Sequence, residues 1–77
     1  MDIILPQLGN DITEAEVDSW LVEPDATVTR GQPVLQITTP KLVMEIEAPG
    51  DGTLSECLVE PGDIAEVGDV LGRLTPA

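Results

Sequence analysis

The chain has 77 residues, three Lys or Arg against fifteen Asp or Glu, and a formal charge of -12, so neither a nucleic-acid backbone nor an anionic membrane surface suits it as a partner. With one cysteine and no histidine, it has no internal disulfide, no Cys/His or Ser/His pair for nucleophilic catalysis, and no zinc-ligand spacing. One Trp, no Phe or Tyr, and 23 Val, Ile and Leu residues predict a small aliphatic core in a single domain over residues 1–77, with Thr75-Pro76-Ala77 as the start of a linker.

In chain order, the stretch 10–23 is the first to demand a decision, because Thr13 and Glu16 form a capping-box pattern and Val17, Trp20 and Leu21 a helical stripe. An internal repeat argues against a helix. Shifting the sequence by 37 positions lays Leu21-Val22-Glu23-Pro24 on Leu58-Val59-Glu60-Pro61, Gly31 on Gly68 and Thr38 on Thr75 without a gap. It also pairs Val17 with Leu54, Ile37 with Leu74 and Trp20 with Cys57. The mate of 14–22 opens with Asp51-Gly52 and stops at Pro61, too short an interval for an ordinary helix, so both segments are predicted strands.

Further strands are predicted over 34–38, 42–48, 53–59 and 70–74. In 42–48 Leu42, Met44, Ile46 and Ala48 alternate with Val43, Glu45 and Glu47, the period of a half-buried strand. Gly31, Gly52, Gly62 and Gly68 read as turn residues, and Cys57 as a small core residue. Eight or so short strands in two like halves predict an all-β fold, a small antiparallel sandwich or flattened barrel with a pseudo-twofold. The offset puts Lys41 in register with Ile4 and with the position just past the C-terminus. The lysine turn and the meeting termini are therefore expected at opposite ends.

Lys41 is the only lysine in the chain. It lies in Thr39-Pro40-Lys41-Leu42, where Pro40 presets φ near -65° at the second turn position and Thr39, preceding proline, is pushed towards extended geometry. An exposed ammonium with a reference pKa of about 10.4 is a poor general base, whereas an enzyme bringing an activated acyl donor would acylate it. The pattern fits a modification site better than an active site, and no catalytic or metal-ligating residue is assigned. The carboxylates, spread along the chain, read as a solvated surface suited to basic protein partners.

Pro6-Gln7-Leu8-Gly9, Trp20-Leu21, Arg30-Gly31-Gln32-Pro33-Val34-Leu35-Gln36-Ile37, Lys41 and Glu45-Ile46-Glu47-Ala48-Pro49-Gly50-Asp51-Gly52 together resemble a lipoyl domain of a 2-oxo acid or acetoin dehydrogenase complex acyltransferase. Glu60-Pro61-Gly62-Asp63 and Val67-Gly68-Asp69-Val70-Leu71 are similar to the same family's closing motif. The resemblance implies a flattened barrel of two four-stranded antiparallel sheets, with lipoic acid amidated to Lys41 by a lipoate-attaching enzyme. It further implies acyl transfer among a thiamine-dependent decarboxylase, an acyltransferase core and a flavoprotein dihydrolipoyl dehydrogenase. Thr39, Pro40 and Leu42 would shape the turn, and the loop of Leu8, Gly9, Asn10 and Asp11 would lie near the lysine and contribute to partner recognition.

The chain departs from the family at Pro40, where Asp is usual. Turn geometry accepts the change, but a carboxylate that partner enzymes would read is missing there. Two other readings stand beside this one: a biotin carboxyl carrier domain, whose lysine is normally flanked by methionines rather than Pro40 and Leu42, and an unmodified β-sandwich interaction module. No apolar run approaches the roughly 18 residues of a membrane span, and Met1-Asp2 lacks the basic start of a signal or transit peptide. A monomeric domain in the bacterial cytoplasm is the expectation, with the mitochondrial matrix as the alternative.

Overall fold

The computed structural model describes residues 1–9 and 11–76. Eight strands follow in order: β1 (Asp2–Ile4), β2 (Glu14–Trp20), β3 (Thr27–Val28), β4 (Pro33–Thr38), β5 (Val43–Glu47), β6 (Gly52–Cys57), β7 (Ile64–Glu66) and β8 (Val70–Pro76). They form two four-stranded sheets, β1-β8-β6-β3 and β5-β4-β2-β7, with every neighbouring pair antiparallel. The segment with the helix-like stripe is strand β2, as the repeat requires. It ends at Trp20, two residues before the predicted boundary, where the chain turns through Pro24 and Asp25.

The repeat extends to individual pairings. Glu16, Val17, Ser19 and Trp20 of β2 face Thr38, Ile37, Gln36 and Leu35 of β4, with a bulge between Val17 and Ser19. Their mates Thr53, Leu54, Glu56 and Cys57 of β6 face Thr75, Leu74, Arg73 and Gly72 of β8, with the bulge at the equivalent place. The left-handed positions repeat as well: Asp25 (φ 69°) falls on Gly62 (φ 95°), and Gly31 (φ 85°) on Gly68 (φ 95°). Asp is among the few non-glycine types that enter this region at modest cost.

The edge strands β1 and β5 do not follow the common offset. Asp2 and Ile3 pair with Arg73 and Gly72, as Glu45 and Ile46 pair with Gln36 and Leu35. Ile3 therefore corresponds to Ile46 and Ile4 to Glu47, which corrects the predicted match of Ile4 with Lys41. The lysine turn joins β4 to β5, and its counterpart is the gap between the end of β8 and the start of β1. The Met1 amine donates to the Leu74 carbonyl at 2.9 Å, and a side chain on Gly50 would strike the Met1 thioether. The termini thus meet beyond the Ala48 end of β5, and the lysine turn lies at its Val43 end.

Val17, Ile37 and Leu54 are fully buried and Leu74 is 2% exposed, in one cluster with Leu5, Val28, Val34, Leu35 and Leu71. Removing each such side chain from water contributes about 1.5–3 kcal/mol. In β5 Ile46 is buried and Met44 half-buried between exposed Val43, Glu45 and Glu47, the predicted alternation. Leu42 breaks it, lying outside the strand and 39% exposed.

The halves differ most where Trp20 falls on Cys57. The Trp20 indole N–H donates to the Val59 carbonyl at 2.9 Å, and the ring lies over Gly72, where a Cβ would come within 2.8 Å of it and 2.7 Å of the Glu56 carbonyl oxygen. Cys57 is half-buried against the core, and burial pushes its thiol up from the ordinary value. Gly52 is not the turn residue predicted. It opens β6, buried, with the Thr75 carbonyl packed where its side chain would be.

Two outcomes follow from this packing. Gly72→Ala should lower unfolding stability by about 1–3 kcal/mol, read by denaturant titration of the single tryptophan's emission; an unchanged midpoint would contradict the close approach. Alkylation of Cys57 in the folded protein should be slow at neutral pH, accelerating only above the range of an ordinary thiol and on unfolding, because the thiolate is the nucleophile. Rapid labelling of the native chain at neutral pH would show the thiol to be free of its burial.

Candidate functional site

Strands β4 and β5 end their pairing at Thr38 opposite Val43, which leaves Thr39 and Leu42 flanking a two-residue tip of Pro40 and Lys41. Two-residue hairpin tips that match strand twist need φ above zero at their first position, a geometry the pyrrolidine ring of Pro40 forbids. Asp25 is the only non-glycine residue with positive φ among those described, so Lys41 does not adopt it either.

Backbone closure of the tip accordingly runs in one direction. The Thr39 N–H donates to the Leu42 carbonyl at 2.7 Å, while the Leu42 N–H donates to the Thr39 hydroxyl oxygen at 3.0 Å. The Lys41 N–H donates to the same oxygen at 3.3 Å, and the hydroxyl donates to the Leu42 carbonyl at 3.0 Å. One donation and two acceptances use the full capacity of a hydroxyl. At 5% exposure, Thr39 is the one buried polar residue among those described.

The Lys41 side chain extends from this tip with 64% exposure, its ammonium 3.7 Å from a carboxylate oxygen of Asp11, itself 83% exposed. A pair so open to water contributes under about 1 kcal/mol. The loop carrying Asp11 is held by buried Ile12, whose N–H donates to the Gly9 carbonyl at 3.3 Å. Of the residues assigned to partner recognition, Asp11 stands free at the lysine, Gly9 is half-buried with φ 145°, and Leu8 packs against the core as an anchor. Asn10 lies outside the described residues.

Other side chains complete the surroundings. A depression of about 300 Å³ beside the tip is lined by Glu14, Ala15, Glu16, Thr38, Thr39, Pro40 and Ile64; a smaller one of about 200 Å³ is lined by Lys41, Pro40 and residues 11–14. Ile64 is 58% exposed and Val43 61%, at the two ends of a row Ile64–Glu16–Thr38–Val43 across the sheet. The mates of the first three are Thr27, Thr53 and Thr75. A polar row on one sheet thus becomes an apolar and acidic one at the lysine. Sequence reasoning passed over Ile64, although its alignment with Thr27 was the available signal.

Charge is distributed unequally as well. On the sheet away from the lysine Arg73 is held by Asp2 at 3.4 Å and Glu56 at 3.7 Å. The equivalent position on the lysine's sheet is Gln36, whose amide donates to Asp18 at 3.2 Å, as does the Thr38 hydroxyl. Arg30 sits in the turn between β3 and β4, with its backbone N–H on Asp51. Lys41 is therefore the cation of an otherwise acidic end. The geometry suits an amine offered to a second enzyme, on a stiff support and in open solvent.

Residues 1–74 match the family described as biotin-requiring enzyme, the biotinyl and lipoyl attachment domains. The chain is 37% identical over 75 residues to the dihydrolipoyllysine-residue acetyltransferase component of the acetoin cleaving system of Cupriavidus necator, covering 97% of this chain and 20% of that protein. It is 36% identical over 76 residues to the acetyltransferase component of the pyruvate dehydrogenase complex of Corynebacterium glutamicum, covering 99% of this chain and 11% of that protein. The chain thus spans a fifth or less of the length of these relatives. The solution structure of the lipoyl domain of the Azotobacter vinelandii 2-oxoglutarate dehydrogenase complex superposes with a TM-score of 0.76 at 35% identity, covering 97% of this chain and 95% of that one. A long-chain acyl-CoA carboxylase, 19% identical, shares the fold with a TM-score of 0.71 over 95% of this chain and 8% of that one. The chain belongs to the biotinyl/lipoyl attachment-domain family, and its likeness within that family is to the lipoyl domains of dehydrogenase-complex acyltransferases.

Proposed function

We propose that Lys41 is the site of covalent lipoylation and that the domain is a non-catalytic acyl carrier in a 2-oxo acid or acetoin dehydrogenase complex. The observation that carries this reading is the single lysine of the chain standing exposed on a proline-stiffened hairpin tip, at the end of the fold away from the termini. A tether at either terminus leaves that tip unobstructed.

Attachment forms an amide: the Lys41 amine attacks the carbonyl carbon of an activated lipoate, its nitrogen loses a proton, and the activating group departs. The chain's residues fit this, since an amine in open solvent is reached without unfolding and no side chain must move aside. Once bound, the group supplies a dithiolane that accepts an acyl group and two electrons. What the domain supplies is placement: the Pro40–Lys41 tip fixes the root of the arm, and Ile64, Val43 and the carboxylates around it form the surface that approaching enzymes meet. Those enzymes are the lipoate-attaching enzyme, a thiamine-dependent decarboxylase, the acyltransferase core and a flavoprotein dihydrolipoyl dehydrogenase.

Intact mass after incubation with lipoate, ATP and a lipoate ligase should show one lipoyl increment on the wild type and none on Lys41→Arg. A biotinyl increment with biotin and biotin ligase, or no modification under either condition, sinks the lipoyl assignment. Asp11→Asn should leave stability within about 0.5 kcal/mol and ligation unchanged, yet lower kcat/KM for the lipoylated domain as substrate of its decarboxylase. An unaltered kcat/KM would remove Asp11 from recognition.

A further inference from the structure

We propose that Thr39 is the positioning residue of the attachment site: its hydroxyl supplies the second closing bond of the Pro40–Lys41 tip, the one the backbone leaves unmade, and so fixes the root of the Lys41 side chain for the attaching enzyme. The inference rests on Lys41 being the modified residue.

The need for such a residue originates in Pro40. With φ locked negative at the first tip position, the turn cannot take the form whose twist agrees with that of β4 and β5. The ordinary closing bond, from the Leu42 N–H to the Thr39 carbonyl, gives way to a bond from the same N–H to the Thr39 hydroxyl at 3.0 Å. The hydroxyl also accepts the Lys41 N–H at 3.3 Å, so it holds the backbone of the modified residue itself.

Three features show the arrangement to be specific to this turn. Thr39 is 5% exposed, which fixes its rotamer and lets one atom serve three bonds without exchange with water. Every bond of the Thr39 hydroxyl is to the backbone of Lys41 or Leu42, so it is committed to the tip alone. Under the repeat Thr39 falls on Pro76, at the open end of the fold, so the second half has no equivalent hydroxyl. The device belongs to the lysine end and not to the barrel.

Loss of the hydroxyl releases two N–H groups at the tip without disturbing the core. The root of the lysine side chain is then no longer held in one place, and a displacement of about 1 Å at a reacting group slows a reaction by as much as about a hundredfold. Thr39→Val keeps the branched shape and removes the hydroxyl; Thr39→Ser keeps the hydroxyl and removes the methyl.

The test compares kcat/KM for ligase-catalysed lipoylation of the wild type and both variants with the exchange rate of the Leu42 amide, folding being checked by Trp20 emission. Thr39→Val should lose about ten- to a hundredfold in kcat/KM and exchange the Leu42 amide faster, with Thr39→Ser close to wild type in both. Lipoylation of Thr39→Val at the wild-type rate overturns the proposal, as does equal slowing of Thr39→Ser, which would assign the effect to the methyl. If Thr39→Val does not fold, Thr39→Cys takes its place, since a thiol is a weak acceptor of similar size. A wild type that accepts no lipoate refutes the reading of Lys41 itself, and the Leu42 exchange rates then still decide whether the hydroxyl holds the turn.

Discussion

The structure depends on one repeated contact, the pairing of Val17 with Ile37 and of Leu54 with Leu74 across the middle strands of the two sheets. These four side chains, all within 2% of complete burial, are related by the pseudo-twofold. A chain this short buries a smaller fraction of its surface than a larger domain. Facing two curled sheets of identical register lets nearly every inward residue serve the same core. The bulges at Val17/Ser19 and Leu54/Glu56 turn both sheets alike, so the edges approach one another.

The candidate site lies where the two halves cease to match. One end of the fold is closed by the Pro40–Lys41 hairpin and the other is left open by the chain termini, and this difference alone sets one end of the pseudo-symmetric barrel apart from the other. Around the closed end, Thr27 has become Ile64, Thr53 has become Glu16, and Arg73 has become Gln36. The first difference exposes an apolar side chain, the second adds a carboxylate and the third takes away a cation, so the surface at the lysine is both stickier and more acidic than its counterpart. A partner bringing positive charge would be drawn to this end, an effect that acts on encounter rates more than on the stability of a complex.

Much of this was legible in the sequence because a gapless repeat carries strand register with it: once Trp20 falls on Cys57 and Thr38 on Thr75, the pairing of the second half follows from the first. The same logic overrode the helical stripe at Val17, Trp20 and Leu21, since a segment between Gly52 and Pro61 has no room for a helix. Of the outer strands, β1 and β5 escaped because they connect differently. Strand β5 follows its neighbour through a tight turn, whereas β1 pairs with β8 through a chain break, so no single offset aligns Ile3 with Ile46. Gly52 was misread for a related reason: a glycine needed because another backbone passes over it looks, in sequence, like one needed for a turn. The Thr39 hydroxyl was invisible too, because whether a threonine closes a turn depends on its rotamer and on the separation of two strand ends.

The nature of the site also explains how the folded domain would tolerate the modification proposed for Lys41. Amidation of Lys41 would remove one of the three Lys and Arg charges from a chain of net charge -12 and end the contact with Asp11. Were that ammonium buried or shared in a network, its loss would leave an unpaired carboxylate in a low-dielectric setting at a cost of several kcal/mol. The contact is instead 3.7 Å long between groups 64% and 83% exposed, so water takes over the carboxylate with little change in free energy. The turn is held by Pro40, by the bond from the Thr39 N–H to the Leu42 carbonyl and by the Thr39 hydroxyl, and by nothing on the lysine side chain. Support and chemistry are thus separated along one residue: backbone bonded and fixed, side chain free to be altered, with the folded state indifferent to whether the arm has been attached.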